Sequence, residues 1–289
     1  MSAEQNHQLE KDVGPAAPAP QAAPAAPNGM SPEEHHSRFG YGPLSHVNTK
    51  EAVLRPFGGE FQPGLYKSVE ARKFANPAPL GLSAFALTTF VLSCINMGAR
   101  DITAPNIVVA LAFGYGGLVQ LLAGMWEMAV GNTFGATALS SYGGFWIAFA
   151  IVLTPGGFNI EANLIETGGT AMFYNSFGLF LMGWFIFTTI LLFCTLRSTV
   201  AFFLLFLFLD LAFLLLGVGY IQRDSHGAPN PPVIKAGGFF GLLAAFAAWY
   251  NALAGIADSS NSFFVIPVAH FPWSPTGRAR RGKTERETV

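Results

Sequence analysis

The chain has 289 residues, 51% of them apolar and only 11% charged, well below the ~25% charged of an ordinary soluble domain. Its net charge of −1 offers nothing to nucleic acid, which requires a clustered basic surface. Only ten Asp, Glu, Lys and Arg residues lie between Asn76 and Ile256, so polar ends flank an apolar middle and the composition is that of a membrane protein.

Residues 1–56, centred on PAAPAPQAAPAAPNG, carry no apolar periodicity and too little hydrophobic surface to offset the entropy of ordering, which predicts a disordered cytosolic tail. The first 30 residues lack the apolar h-region of a cleavable signal peptide, so the first span is expected to direct insertion. Residues 57–79 read as a juxtamembrane segment. It opens on a Gly/Pro turn, and Leu65, Val69 and Phe74 are placed to rest on the membrane surface while Lys67, Arg72 and Lys73 face water and headgroups.

From residue 80 to 256 the apolar runs reach the ~20 residues needed to cross a bilayer. Six spans are expected, at about 80–97, 106–130, 140–153, 177–196, 200–220 and 235–256. The third is short and crosses only if its polar approach, Thr137 to Gly143, enters the membrane inside protein. The fold class is therefore all-α, a polytopic membrane protein with six transmembrane helices per protomer around a central path. Basic residues precede the first span and follow the last (Arg278, Arg280, Arg281, Lys283 and Arg286), which puts both termini, including the tail 257–289, in the cytosol.

A weak internal echo is visible at an offset of 100. Ser83–Cys94 matches Gly183–Cys194 at Phe85, Thr88, Thr89, Leu92 and Cys94, as an inverted repeat separated by three spans would. The two cysteines fall inside apolar runs and read as packing residues.

Polar groups in hydrocarbon are costly and are retained facing a path or a partner. Glu127 ends span two, Gln120 lies seven residues earlier on the same face, and Asp210 sits mid-span in FLFLDLAFLLLG. A lone mid-depth carboxylate either pairs with a donor, at a helix crossing or a subunit interface, or takes up a proton. No HExxH, GxSxG, phosphate-binding loop or Cys/His cluster is present, so neither an enzyme nor a metal or other cofactor is expected. Glycines along the spans allow close helix approach, and the many Phe and Tyr rings suit an apolar constriction that controls wetting.

Two motifs in order, Asn76-Pro-Ala-Pro-Leu-Gly-Leu82 and Gly131-Asn-Thr-Phe-Gly135 followed by Ser141-Tyr-Gly-Gly-Phe-Trp146, resemble those of the acetate uptake transporter family, which includes fungal acetate/ammonia-export-associated membrane proteins and bacterial succinate–acetate permeases. The long N-terminal tail and FGGEFQPGL look like the fungal members. The resemblance implies a homo-hexamer in the plasma membrane whose protomers each enclose a path for acetate and similar short carboxylates. It places Phe85 and Tyr142 in an apolar constriction, leaves Phe206 or Leu207 as the third member, and matches Gln120 and Glu127 to polar path positions.

With Thr88 grouped among the polar path residues, the expected mechanism is a proton-coupled permease. Asn76 and the N–H groups at the start of span one receive the carboxylate at the inner mouth. The Tyr142 hydroxyl is a polar contact inside the ring, and Glu127 or Asp210 carries the proton. The alternatives are a passive acetate channel and an ammonium- or nutrient-linked sensor signalling through the basic C-terminal tail.

Overall fold

The structure, a computed structural model, describes residues 74–102, 104–258 and 261–279. The expected tail 1–56 and most of the juxtamembrane segment lie outside the described residues; of that segment 74–79 are described, and the ring of Phe74 meets Trp126 at 5.8 Å.

Six helices are long and apolar enough to cross a membrane: α1 Ala78–Asn96, α2 Asn106–Val130, α3 Thr133–Leu153, α4 Ile160–Thr195, α5 Val200–Ile221 and α6 Pro231–Ile256. No strand forms among the described residues. The chain is a multi-pass membrane protein. An even number of spans brings residues 74–77 and the described residues 257–258 and 261–279 to one end of the bundle, here the terminal end, and the connections after α1, α3 and α5 to the other, the loop end. α1, α3 and α5 therefore run parallel, and α2, α4 and α6 run against them.

Three of the helix starts have a plain local cause. Asn76 Oδ1 accepts from the Ala78 N–H at 3.1 Å, and Pro79 costs little in a first turn whose N–H groups lack intrahelical partners. Thr199 caps α5 through the Phe202 N–H at 3.2 Å, and prolines open α6.

Two elements differ from expectation. α3 begins seven residues before the expected span, and its polar approach is regular helix with Leu139, Tyr142 and Gly143 buried, so this approach needs no irregular backbone. α4 begins seventeen residues early, but Gly168 and Gly169 break it (φ −146° and +75°). Residues 160–167 thus form a separate helical turn at the loop end, and the spanning part follows the break.

α6 packs along α1 and α5, α5 along α4, and α2 along α3. Between them lies one apolar core rich in aromatic rings, among them Phe145, Phe177, Phe202 and Phe213. Leu179, Ile186, Ile190 and Phe193 on α4, with Leu118, Leu122 and Met125 on α2, stay exposed, as surfaces meeting lipid or another protomer do. The segment after α6 folds back across the terminal end. Val200 N–H donates to Ala269 C=O at 2.7 Å, Trp273 Nε1–H to Leu196 C=O at 2.7 Å, and Tyr250 O–H to Pro267 C=O. The first two satisfy an amide at the start of α5 and a carbonyl at the end of α4 that helix ends leave open. Nothing in the sequence pattern signalled this strap.

Candidate functional site

A cavity of about 1070 Å³ is lined from the loop end down to mid-depth. Its rim carries Asn106, Glu161 and Lys235, its wall Phe149, Phe173 and Phe177, and its floor Phe85, Phe145, Leu209 and Phe213. On the terminal side lies a second space of about 30 Å³, lined by Leu82, Gln120, Gly135, Tyr142 and Phe206, again with Phe85 and Leu209. Phe85 and Leu209 face both spaces and so divide them. Phe85 lies 6.0 Å from Tyr142 between ring centroids, and Tyr142 lies 6.4 Å from both Phe206 and Phe213. The plug is dry, with Phe85, Tyr142, Phe206 and Leu209 each at most 5% exposed.

The architecture of this plug follows from the parallel run of α1, α3 and α5. Each contributes one residue to the plug and, four positions later, one helical turn up, another to the cavity floor: Phe85 then Thr89, Tyr142 then Trp146, Leu209 then Phe213. Four of these six are aromatic, and their tilted and stacked contacts suit rings that must fill space without polar partners.

The sequence-predicted residues separate into two groups. Phe85, Tyr142, Phe206 and Gln120 meet at the plug. Of the two residues expected as the third member, Leu207 is half-buried and lines neither space, and Phe206 lines the inner space alone; Leu209, expected at neither, lines both. The Tyr142 hydroxyl does not serve as a free polar contact inside the ring. It lies 2.9 Å from Thr188 Oγ1, whose own hydrogen goes to Trp184 C=O at 2.7 Å, so the tyrosine is the donor and is anchored to α4. Thr88 is fully buried, donates to Ala84 C=O at 2.9 Å and lines neither space. It wedges against Gly116, where a Cβ would come within 2.5 Å of its oxygen, so it is a packing residue. Asn76 also lines neither space and caps α1. Asp210 points between α4 and α5, where Thr189 Oγ1 lies 2.8 Å from its Oδ1, and likewise lines neither.

Gln120 and Glu127 are both fully buried on one face of α2. Gln120 follows directly on a π-helical stretch, Gly114–Val119, a widened turn of the kind that re-aims the residues after it. Neither atom of its amide has a hydrogen-bond partner. Glu127 is held by the joint between α2 and α3. Gly131 closes α2 at φ +85°, Asn132 Oδ1 caps α3 through the Gly135 N–H at 3.0 Å, and the Glu127 carboxylate lies against Gly135, where a Cβ would stand 2.8 Å from Oε2. The Gly131-Asn-Thr-Phe-Gly135 motif is thus the joint that holds the Glu127 carboxylate behind Gly135, a residue of the inner wall, while Glu127 itself lines neither space.

A family profile described as GPR1/FUN34/yaaH matches residues 57–273. The chain belongs to the GPR1/FUN34/yaaH family. It is 89% identical over its whole length to the whole of "Acetate permease A" of Emericella nidulans. It is 34% identical to the "Succinate-acetate/proton symporter SatP" of Escherichia coli strain K12, over 68% of this chain and 96% of that one. Among solved structures it resembles one described as "Structure of the bacterial acetate channel SatP", with a TM-score of 0.57 and 32% identity over 68% of this chain and all of that one. GPR1/FUN34/yaaH membership places the chain among transport proteins rather than enzymes, and among described residues no group of His, Cys, Asp and Glu is placed to hold a metal.

Proposed function

We propose that this protein is a proton-coupled permease for acetate and other short-chain monocarboxylates in the plasma membrane. It assembles as a homo-hexamer with both termini cytosolic, so that the loop end faces outward. The observation that carries this reading is the dry plug of Phe85, Tyr142 and Leu209 between a wide outer vestibule and a small inner space with an unpaired Gln120 amide on its wall.

An anion pays heavily to enter low dielectric, so a short dry stretch with donors beyond it passes small carboxylates and holds back water and larger acids. Acetate loses its hydration at the plug and regains a partner at Gln120. Of the two carboxylates expected to carry a proton, Glu127 has the better position, because it touches Gly135 on the wall of the inner space. Asp210 keeps a packing role against Thr189.

Proteoliposomes decide this reading. Labelled acetate uptake after subtraction of protein-free vesicles is expected to be saturable, with one proton entering per acetate at clamped potential. Protein-dependent acetate flux without proton movement would replace symport by a passive channel, which is what the solved bacterial relative is called. No protein-dependent acetate flux at all would defeat the permease reading.

A further inference from the structure

After α6 the chain turns back along the helix it has just left. Ile266 is buried with Ala254 and Ala257 at the last turn of α6. The Tyr250 O–H donates to Pro267 C=O, six residues, or roughly 9 Å of helix, before α6 ends at Ile256. The stretch 263–266 therefore stands beside the final turns of the span, at the depth where an amphipathic segment sits between headgroups and acyl chains. There Phe263 is fully exposed, Phe264 61% and Val265 45% exposed, level with the exposed Leu253 and Ile256 of α6 itself. Tyr250 and the half-exposed Trp273, which is held to Leu196 C=O, add the amphipathic rings that collect at a membrane–water boundary.

Charge gathers at the same end. Arg197, next to Leu196, and Arg278, five residues after Trp273, are both exposed. From 278 to 289 the chain holds Arg278, Arg280, Arg281, Lys283 and Arg286 against only Glu285 and Glu287. The bond from Trp273 to the end of α4 keeps the start of this basic run at headgroup level.

We propose that the strap and the basic run after it bind the anionic lipid surface of the cytosolic leaflet. Phe263, Phe264 and Val265 enter the boundary between headgroups and acyl chains, and the arginines meet anionic headgroups. Apolar insertion and a basic patch are two signals that together anchor a segment stably where one does not. The irregular backbone of the strap stays at headgroup level, because lipid-exposed backbone without regular pairing is not tolerated in hydrocarbon. A neighbouring copy of the chain in the same membrane is the poorer occupant, since it brings the same positive end to the same level and like charges repel. The inference goes beyond transport and takes from the permease reading only the cytosolic placement of the terminal end.

Two readouts test it on the full chain in nanodiscs of phosphatidylcholine, with or without phosphatidylserine. A nitroxide at Phe264→Cys, in a chain carrying Cys94→Ser and Cys194→Ser, is expected to relax faster with oxygen than with a water-soluble nickel chelate. Trypsin is expected to cleave after Arg278 at least about fivefold more slowly when phosphatidylserine is present, the worth of one basic residue at an anionic surface. High salt is expected to erase that difference, as is the combination of Arg280→Gln, Arg281→Gln and Lys283→Gln. Phe263→Ser with Phe264→Ser is expected to speed cleavage in both lipids.

A nitroxide reached mainly by nickel would leave the strap in water, and one shielded from both reagents would mean that a second copy covers it; either result overturns the proposal. Equal cleavage with and without phosphatidylserine overturns it as well. An epitope after Val289 that antibody reaches on intact spheroplasts would remove the cytosolic leaflet as the partner. Acetate flux enters none of these measurements, so a chain that moved no acetate would lose the permease reading and keep this one.

Discussion

Replacing Leu209 by Ala tests the plug at the residue that geometry selects. Leu209 is 5% exposed and lines both the vestibule and the inner space, so truncation opens the partition itself. Three carbons are removed, worth roughly 0.8 kcal/mol each in apolar burial, which takes about 2.4 kcal/mol of dry packing out of the layer. The inner space is already about 30 Å³, above the ~10–15 Å³ that one water requires, and the enlarged gap admits water continuously from the vestibule. A single methylene in an apolar site carries about 10–200-fold discrimination. The ratio of acetate to butyrate uptake in proteoliposomes is therefore expected to fall at least about tenfold in Leu209→Ala, with acetate uptake retained. Leu207→Ala, on a side chain that faces neither space, is expected to keep the original ratio. Size-exclusion profiles identical to the unaltered protein control for folding. Loss of discrimination in Leu207→Ala but not in Leu209→Ala would refute the assignment and return the third member to its neighbour two residues earlier.

Gly135→Ala places a methyl 2.8 Å from the Glu127 carboxylate and 2.6 Å from Asn132 Nδ2; overpacking of this kind costs about 1–3 kcal/mol and is expected as a lowered apparent Tm with impaired uptake, whereas an unchanged Tm would mean that the joint yields freely. Glu127→Gln is expected to abolish proton movement accompanying acetate while Asp210→Asn preserves it, measured with a trapped pH dye; the reverse pattern would make Asp210 the carrier. Trp273→Phe removes the bond to Leu196 C=O, a loss of about 1 kcal/mol. Trypsin should then cleave after Arg278 faster than in the unaltered chain, and equal rates would show that the other contacts hold the strap alone.

Much of this architecture was legible because the bilayer imposes it. Six apolar runs became six spans, and Asn76, Asn132 and Thr199 at helix starts each accept from a first-turn N–H, as their residue types favour. The features that were not legible share a physical reason, which is that register between helices is not written in the periodicity of any one of them. Thr88 and Thr89 are adjacent, so a pattern of residue types cannot tell which hydroxyl turns back to Ala84 and which faces the vestibule. The strap after α6 was hidden for another reason: its bonds to Leu196 and Val200 are made by a short irregular segment with no period of its own.

α5 is the sharpest case. Its segment Phe202-Phe-Leu-Leu-Phe-Leu-Phe-Leu-Asp210 is apolar on every face, and a helix apolar all round gives no sign of which face is inward. The one polar group on it, Asp210, marks the α4 crossing and not the path, so using it as a guide to the path misdirects the assignment. Orientation comes instead from α1 and α3, whose Phe85 and Tyr142 face each other. Once those two rings define a level in the membrane, the parallel helix must supply its residue at the same height. Phe206 lies on the terminal side of that height, Leu209 borders both spaces, and Phe213 lies on the loop side. The three fall on one face at i, i+3 and i+7, a stripe that Leu207 does not share. Level and stripe together single out Leu209 as the residue of α5 that borders both spaces, two constraints that exist only when three helices are considered at once.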